Sequence, residues 1–417
     1  MKEHYPNLKY LVKDSSLYDY IRIDSSGIEF FASPEDKANQ LVEMKIYRNE
    51  VKRIGELLEN MHPDSATTFY RKKGVRKLTE MLPSEIYTFQ RVKKLTNNQL
   101  PLKGWRIALD PGHIEASMEM AMIEAKFIRM RASEATQNQE IAFNEANLTL
   151  ATALILKQKL EEKGAIVMIT RPKAGLNLRD MTYQEWCNYL MMPTIEAEVA
   201  AGRLDSARAH FWRTEAPLSE MYRRLYVPYD LRLRAEKINA FHPDLTLMIH
   251  YNVHGPNWEK RDSEDYCSPT ETNYSMTFVG GSFMKGELVM QEDRAAFMRL
   301  LLTKDLPNSI RFSGEVMKKY AEIIKVPAVT AADSLLYLER SSILAEEAGV
   351  YARNLNLTRT IGGVLCYGEA LCQDNIKECV ALNKKDVPLV ELSTNERVKE
   401  VATAYFEAIM AYVKKAK

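Results

Sequence analysis

From residue 105 onward, short apolar runs alternate with amphipathic helical stretches, and this rhythm restricts the chain more than any other feature. Strand–helix–strand repeats of this kind build a mostly parallel sheet covered by helices. The runs predict strands at 105–109, 165–170, 245–250, 275–279 and about 362–367, with helices at about 144–163, 230–241, 288–303, 309–325 and 395–415. Gly164 stands where a helix C-cap glycine belongs, after Leu160-Glu-Glu-Lys and before Ala165-Ile-Val-Met-Ile-Thr170, so helix turns directly into strand. The expected class is α/β, with a mostly parallel central sheet flanked by helices on both faces, of the phosphorylase/hydrolase-like kind.

Two stretches break the rhythm, about 114–143 and about 172–229, and read as long helical insertions. The second is rich in aromatics, among them Tyr183, Trp186, Trp212, Tyr222 and Tyr226. It reads as an extra packed subdomain, with a substrate wall or a lid as the functional alternative. Residues 1–100 read as a separate N-terminal helical or α+β region. In it Leu41, Ile46, Val51, Ile54, Leu57 and Leu58 predict a helix over 34–61. The polar Thr96-Asn-Asn-Gln99 before Pro101 reads as the connector to a sheet domain spanning 101–417.

Composition narrows the partners. With 57 Lys and Arg against 56 Asp and Glu, the net charge is +1, which excludes a dedicated nucleic-acid binder or polybasic membrane binder. A 46% hydrophobic share over 417 residues is ample for a large core. The five cysteines include no CxxC pair, so they predict neither a disulfide scaffold nor a zinc ribbon. No run of about 18 apolar residues predicts a transmembrane segment. The opening MKEHYPNLKY has no signal-peptide pattern.

Among seven histidines, His113 and His250 fall at or just beyond the ends of predicted strands, in Asp110-Pro-Gly-His113 and Met248-Ile-His250. Ligands of open α/β sheets bind beyond the carboxyl ends of strands, so both side chains are expected in one crevice. Either histidine alone is better explained as an ordinary structural residue. Glu145 begins the intervening helix, where a carboxylate suits the dipole and would face the same edge. Glu140 is its rival. Two imidazoles and a carboxylate match the ligand set of catalytic zinc, whose remaining position is open.

In order and spacing these residues resemble the zinc-dependent N-acetylmuramoyl-L-alanine amidases that cleave peptidoglycan. Ile107-Ala-Leu-Asp-Pro-Gly-His113 is similar to that family's opening strand and first zinc histidine. Glu145 with its helix, then Leu160 through Thr170-Arg171, resembles the glutamate ligand and the next strand. Arg234 to Asn239 resembles the arginine-bearing helix, and Asp244 to Asn252 the strand carrying the second histidine. Glu369, with Asn375 six residues on, is spaced like the family's last landmark. The chain departs from the pattern at Ile114, at Ala370-Leu-Cys372, and in a gap from His113 to Glu145 about twice the usual length.

The resemblance implies Zn2+ held by His113, Glu145 and His250, with Glu369 as general base. It also implies a peptidoglycan or muropeptide substrate, a place in the cell envelope (periplasmic or secreted) and a regulatory protein partner. Asp110 is the candidate for orienting a ligand histidine, or else a turn residue. Arg234, Asn252 and His254 are further candidates for supporting the ligands or touching substrate, His254 as a loop residue. The expected reaction is hydrolysis of the amide between N-acetylmuramic acid and L-alanine. The alternatives are a noncatalytic cell-wall binding or scaffold protein of the same fold, and a zinc hydrolase acting on another amide.

Overall fold

The computed structural model describes residues 5–89, 100–254, 261–333, 335–389 and 392–416; the connector Thr96–Gln99 lies outside them. The N-terminal part is α+β. Strands β1 (Ile21–Asp24), β2 (Gly27–Phe30) and β3 (Met44–Tyr47) form an antiparallel sheet. Gly27 makes the first turn at φ +143°, and a Cβ there would lie 1.9 Å from the Ile46 carbonyl oxygen. The single helix expected over 34–61 is instead a short helix Pro34–Ala38, β3, and a helix Val51–Glu59. Met44 and Ile46 alternate in burial and pair with Phe30 and Ile28, so a period of two prevails where the apolar spacing suggested a helix.

Helices Val51–Glu59 and Pro63–Lys73 pack on helix Gln291–Leu302 beside the main sheet. One cluster of buried side chains runs from Leu11, Ile28 and Phe30 through Phe297 to Leu247 and Ile249. Arg294, itself buried, donates to both carboxylate oxygens of Glu43 at 2.7 and 2.8 Å, tying the N-terminal part to that helix.

The remaining strands follow in chain order: β4 (Arg106–Pro111), β5 (Phe127–Met130), β6 (Ile141–Asn144), β7 (Ile166–Ile169), β8 (Leu245–Asn252), β9 (Met276–Val279), β10 (Ser342–Leu344), β11 (Val350–Arg353), β12 (Val364–Cys372), β13 (Val387–Leu389) and β14 (Leu392–Thr394). Seven of them form the central sheet in the order β10-β11-β9-β12-β8-β4-β7. Strands β12, β8, β4 and β7 are parallel neighbours, β9 runs antiparallel to β12, and β10 antiparallel to β11. Helices Glu145–Glu162, Asp305–Lys319 and Glu396–Ala416 bury Ile107, Leu109, Leu247 and Ile249 on one face. Helices Val227–Phe241 and Asn356–Thr360 cover Ala108, Met248 and Leu365 on the other. The sheet is therefore mostly parallel with helices on both faces. At φ +91°, Gly164 does follow helix Glu145–Glu162 as the left-handed residue before β7.

The first insertion is only partly helical. Helix Met118–Glu124 precedes an antiparallel hairpin of β5 and β6, because Phe127, Ile128 and Met130 face Asn144, Phe143 and Ile141 in register. The second is helical, with helices Tyr183–Tyr189, Met191–Ala200 and Ser206–Thr214 around a core of their own that includes Trp186, Trp212, Tyr222 and Tyr226. A wide π turn at Tyr222–Tyr226 leads it into helix Val227–Phe241. Among the described residues all five cysteines are free thiols, and no helix is long and apolar enough to cross a membrane.

Candidate metal centre

Three side chains converge at the carboxyl ends of β4 and β8. His113 follows β4 in a left-handed conformation at φ +56°, costly for a residue with a side chain and upheld only by its surroundings. Those surroundings are explicit. Arg234 donates to the Pro111 carbonyl at 3.2 Å and the His113 carbonyl at 3.4 Å, while Thr149 and Arg171 donate to the Gly112 carbonyl at 2.7 and 3.3 Å. Gly112 lies so close to His250 that an added Cβ would sit 2.1–2.4 Å from its ring atoms. Gly112→Ala is thus expected to push the His250 ring aside, lowering both thermal stability and zinc content. Overpacking of this kind costs about 1–3 kcal/mol, and thermal unfolding with metal analysis measures both effects.

Glu145 is the first residue of its helix, capped by Asn144, whose side chain accepts from the Asn147 amide at 2.9 Å. Its Oε1 lies 3.2 Å from His250 Nδ1 and accepts the Tyr251 amide at 3.1 Å. Its Oε2 lies 3.4 Å from His113 Nε2. One ligand atom from each of His113, Glu145 and His250 lies within 4.8 Å of the others. The two imidazoles stand edge to face, centroids 5.0 Å apart.

The electrostatics follow from burial and crowding. Burial opposes ionisation of Glu145, but His113 and His250 outweigh it and hold its carboxyl well below the usual range. Burial pushes His250 down to about 4, leaving a neutral imidazole with a lone pair to donate. For His113 burial also lowers proton affinity, yet the charges of Glu145 and Glu124 bring the net direction upward. Glu369 on β12 is the register partner of His250, so both project on the same side of the sheet. Burial first, then the Glu145 charge, push its carboxyl up. Its Oε2 is buried and has no hydrogen-bond partner.

The structure brings His113, Glu145, His250 and Glu369 together and leaves others outside. Asp110 does not orient a ligand histidine: its Oδ1 accepts from Thr170 and from Arg234, at 3.5 Å in the second case. The carboxylate that meets the His113 ring is Glu124, 3.1 Å from Nδ1. Arg234 is a buried brace, paired with Asp230 at 2.6 Å. Glu140 is exposed on the hairpin, 3.1 Å from the Tyr266 hydroxyl. Asn252 ends β8, and His254 lies in the loop beyond it, its Nδ1 3.3 Å from the Tyr274 hydroxyl. Asn375 caps helix Ile376–Leu382.

Four residues near the centre went unread in the sequence. Besides Glu124, Gln373 donates to Glu145 Oε2 at 3.2 Å, and Tyr367 stacks on His250 with centroids 4.3 Å apart and planes 8° apart. The ammonium of Lys126 acts on His113, Glu145, His250 and Glu369 alike. Only Tyr367 carried a signal, standing two residues before Glu369 on a predicted strand. A cavity of about 180 Å³ opens against the centre, lined by His113, Glu124, Arg234, His250, Tyr367 and the start of helix Asn356–Thr360 among others.

No protein-family model and no curated protein matches the chain. Among solved structures, it is similar to the CwlD amidase of Clostridioides difficile in complex with the GerS lipoprotein. The two share 14% identity and a TM-score of 0.39 over 74% of this chain and 98% of that one. It is similar to the N-acetylmuramyl-L-alanine amidase Ami1 of Mycobacterium smegmatis, at 12% identity and a TM-score of 0.39 over 75% and 99% of the two chains. A third is the catalytic domain of the N-acetylmuramoyl-L-alanine amidase CwlV of Bacillus (Paenibacillus) polymyxa var. colistinus, at 12% identity and a TM-score of 0.36 over 74% and 98%.

Proposed function

We propose that the chain is a zinc-dependent amidase that cleaves the bond between N-acetylmuramic acid and the L-alanine of a peptidoglycan stem peptide, in the cell envelope. The observation that carries this reading is the convergence of His113, Glu145 and His250 within 4.8 Å, with Glu369 in register beside them. The donor chemistry fits zinc: two imidazole nitrogens and one carboxylate, with a further carboxyl oxygen of Glu369 buried without a partner. The ordered series of sequence landmarks supplies the substrate class.

His113, Glu145 and His250 would hold the metal, which when bound supplies Lewis acidity for polarising the scissile carbonyl. The chain's own groups do the rest. Glu369 takes the proton of the attacking water and passes it to the departing nitrogen, a role suited to a carboxyl whose proton affinity burial has raised. Glu124 fixes the His113 ring through Nδ1 and directs Nε2 toward the centre. The stacked Tyr367 and the close backbone of Gly112 hold His250 from two sides.

Mass spectrometry of purified peptidoglycan, incubated with the protein with and without a zinc chelator, tests the proposal. Chelator-sensitive release of stem peptides bearing a free L-alanine amine is the expected result. No release by intact, zinc-loaded protein would refute it in favour of a different amide or a binding role.

A further inference from the structure

Arg353, the last residue of β11, is a cation to which the amide-hydrolysing machinery gives no direct contact. Its guanidinium carbon lies 5.2 Å from the ring centroid of Phe278 and 5.0 Å from that of Tyr337. Cation–π contact of this kind holds the guanidinium by its faces and leaves its five in-plane N–H donors to other partners. Among the described residues none receives a hydrogen bond or ion pair from them. The fully buried arginines differ: Arg171, Arg234, Arg294 and Arg299 all donate to carbonyls or carboxylates. Arg353 is partly buried, between core and solvent, and its unpaired donors are available to an anion.

The sheet register connects this charge to the metal centre. Tyr367 pairs with Phe278 and Phe278 with Tyr351, which sets three rings side by side across β12, β9 and β11 on one face of the sheet. Tyr367 in turn stacks on His250. The positive charge of Arg353 is felt by both Tyr367 and Glu369, whose proton affinities it lowers. From His250 on β8 to β11 is three strand spacings, about 14 Å, and the register sets Arg353 level with Leu365 and Thr246, four residues or about 13 Å along the strands from His250. The guanidinium reaches back over Phe278, and the steps of 4.3 Å from His250 to Tyr367, 5.9 Å from Tyr367 to Phe278 and 5.2 Å from Phe278 to the guanidinium put it within about 15 Å of the His250 ring, about four residues of extended chain.

We propose that Arg353 binds a carboxylate of the substrate peptide within about four residues of the scissile amide, so that free-carboxylate stem peptides are selected over amidated ones. The proposal rests on the reading of the centre as a peptidoglycan amidase, and its test is independent of turnover. The stem tripeptide, which lacks the scissile amide, is titrated calorimetrically into zinc-loaded protein in two forms, with carboxylates free and with carboxylates amidated. Wild-type protein is expected to bind the acid form about tenfold more tightly, as one charge-assisted hydrogen-bonded pair allows. Arg353→Met should equalise the two forms and Arg353→Lys should keep part of the difference, with thermal unfolding confirming that both variants are folded. Equal binding by wild type, binding of neither form, or a preference that survives Arg353→Met would overturn the assignment. Peptidoglycan turnover is scored separately. A preserved preference without turnover would refute the amidase and leave the anion site standing, whereas turnover without preference would refute Arg353 alone.

Discussion

Replacing Glu369 with Gln is expected to leave zinc near one per chain while lowering turnover by about 10²–10⁴, the usual contribution of a positioned general base. The expectation follows from three features. Glu369 stands in register with His250, one strand away. Its Oε2 is buried and unpartnered, so no competing hydrogen bond explains its presence. Lastly, the Glu145 carboxylate is already engaged by His113, His250, the Tyr251 amide and Gln373, which leaves Glu369 as the neighbouring carboxylate able to exchange a proton. Gln keeps the shape and removes the basicity. Metal analysis beside a turnover assay separates the outcomes: retained zinc with retained turnover would assign the base elsewhere, and lost zinc would make Glu369 a ligand.

How much of this centre was legible in the sequence depended on how local its causes are. The convergence of His113, Glu145 and His250 was readable because position relative to a strand or helix end fixes direction: His113 after β4, His250 near the end of β8, Glu145 at the start of its helix. The βαβ rhythm likewise gave the main helices and β4, β7, β8 and β9 to within a few residues, but it stopped β12 five residues short and passed over β10 and β11. Glu124 was not readable, since it reaches His113 through an insertion whose short helix and hairpin follow no long period. Asp110 was misread because nearness in sequence is not nearness in space. Three residues before His113, its carboxylate turns to Thr170 beyond β7 and to Arg234 on the helix behind the sheet. The helix expected over 34–61 failed for a related reason: Met44 and Ile46 are claimed by cross-strand partners at 30 and 28 that no local window contains. Arg353 carried no pattern either, because its significance lies in two rings brought from β9 and from the helix Leu336–Ser341.

His113→Ala and His250→Ala should each abolish stoichiometric zinc binding, and with it chelator-sensitive turnover. Loss of either leaves one imidazole and one carboxylate, and it also strips Glu145 of a partner that keeps its buried charge stable. The two histidines differ in how pH acts on them. His250, held down to about 4, presents a neutral nitrogen throughout the neutral range. His113, whose proton affinity Glu145 and Glu124 raise, must release a proton to become a ligand, so zinc affinity is expected to fall as pH falls. Glu124→Gln supplies the graded control, because loss of a partner that only orients a ligand typically costs about 10–100-fold in metal affinity. Competition titration against a chelator, with metal content measured after dialysis, should therefore order the proteins as wild type, then Glu124→Gln, then the two alanine variants. Full zinc retention in either His113→Ala or His250→Ala would dismantle the assigned centre, since no other group of three histidine, cysteine or acidic side chains among the described residues converges closely enough to replace it.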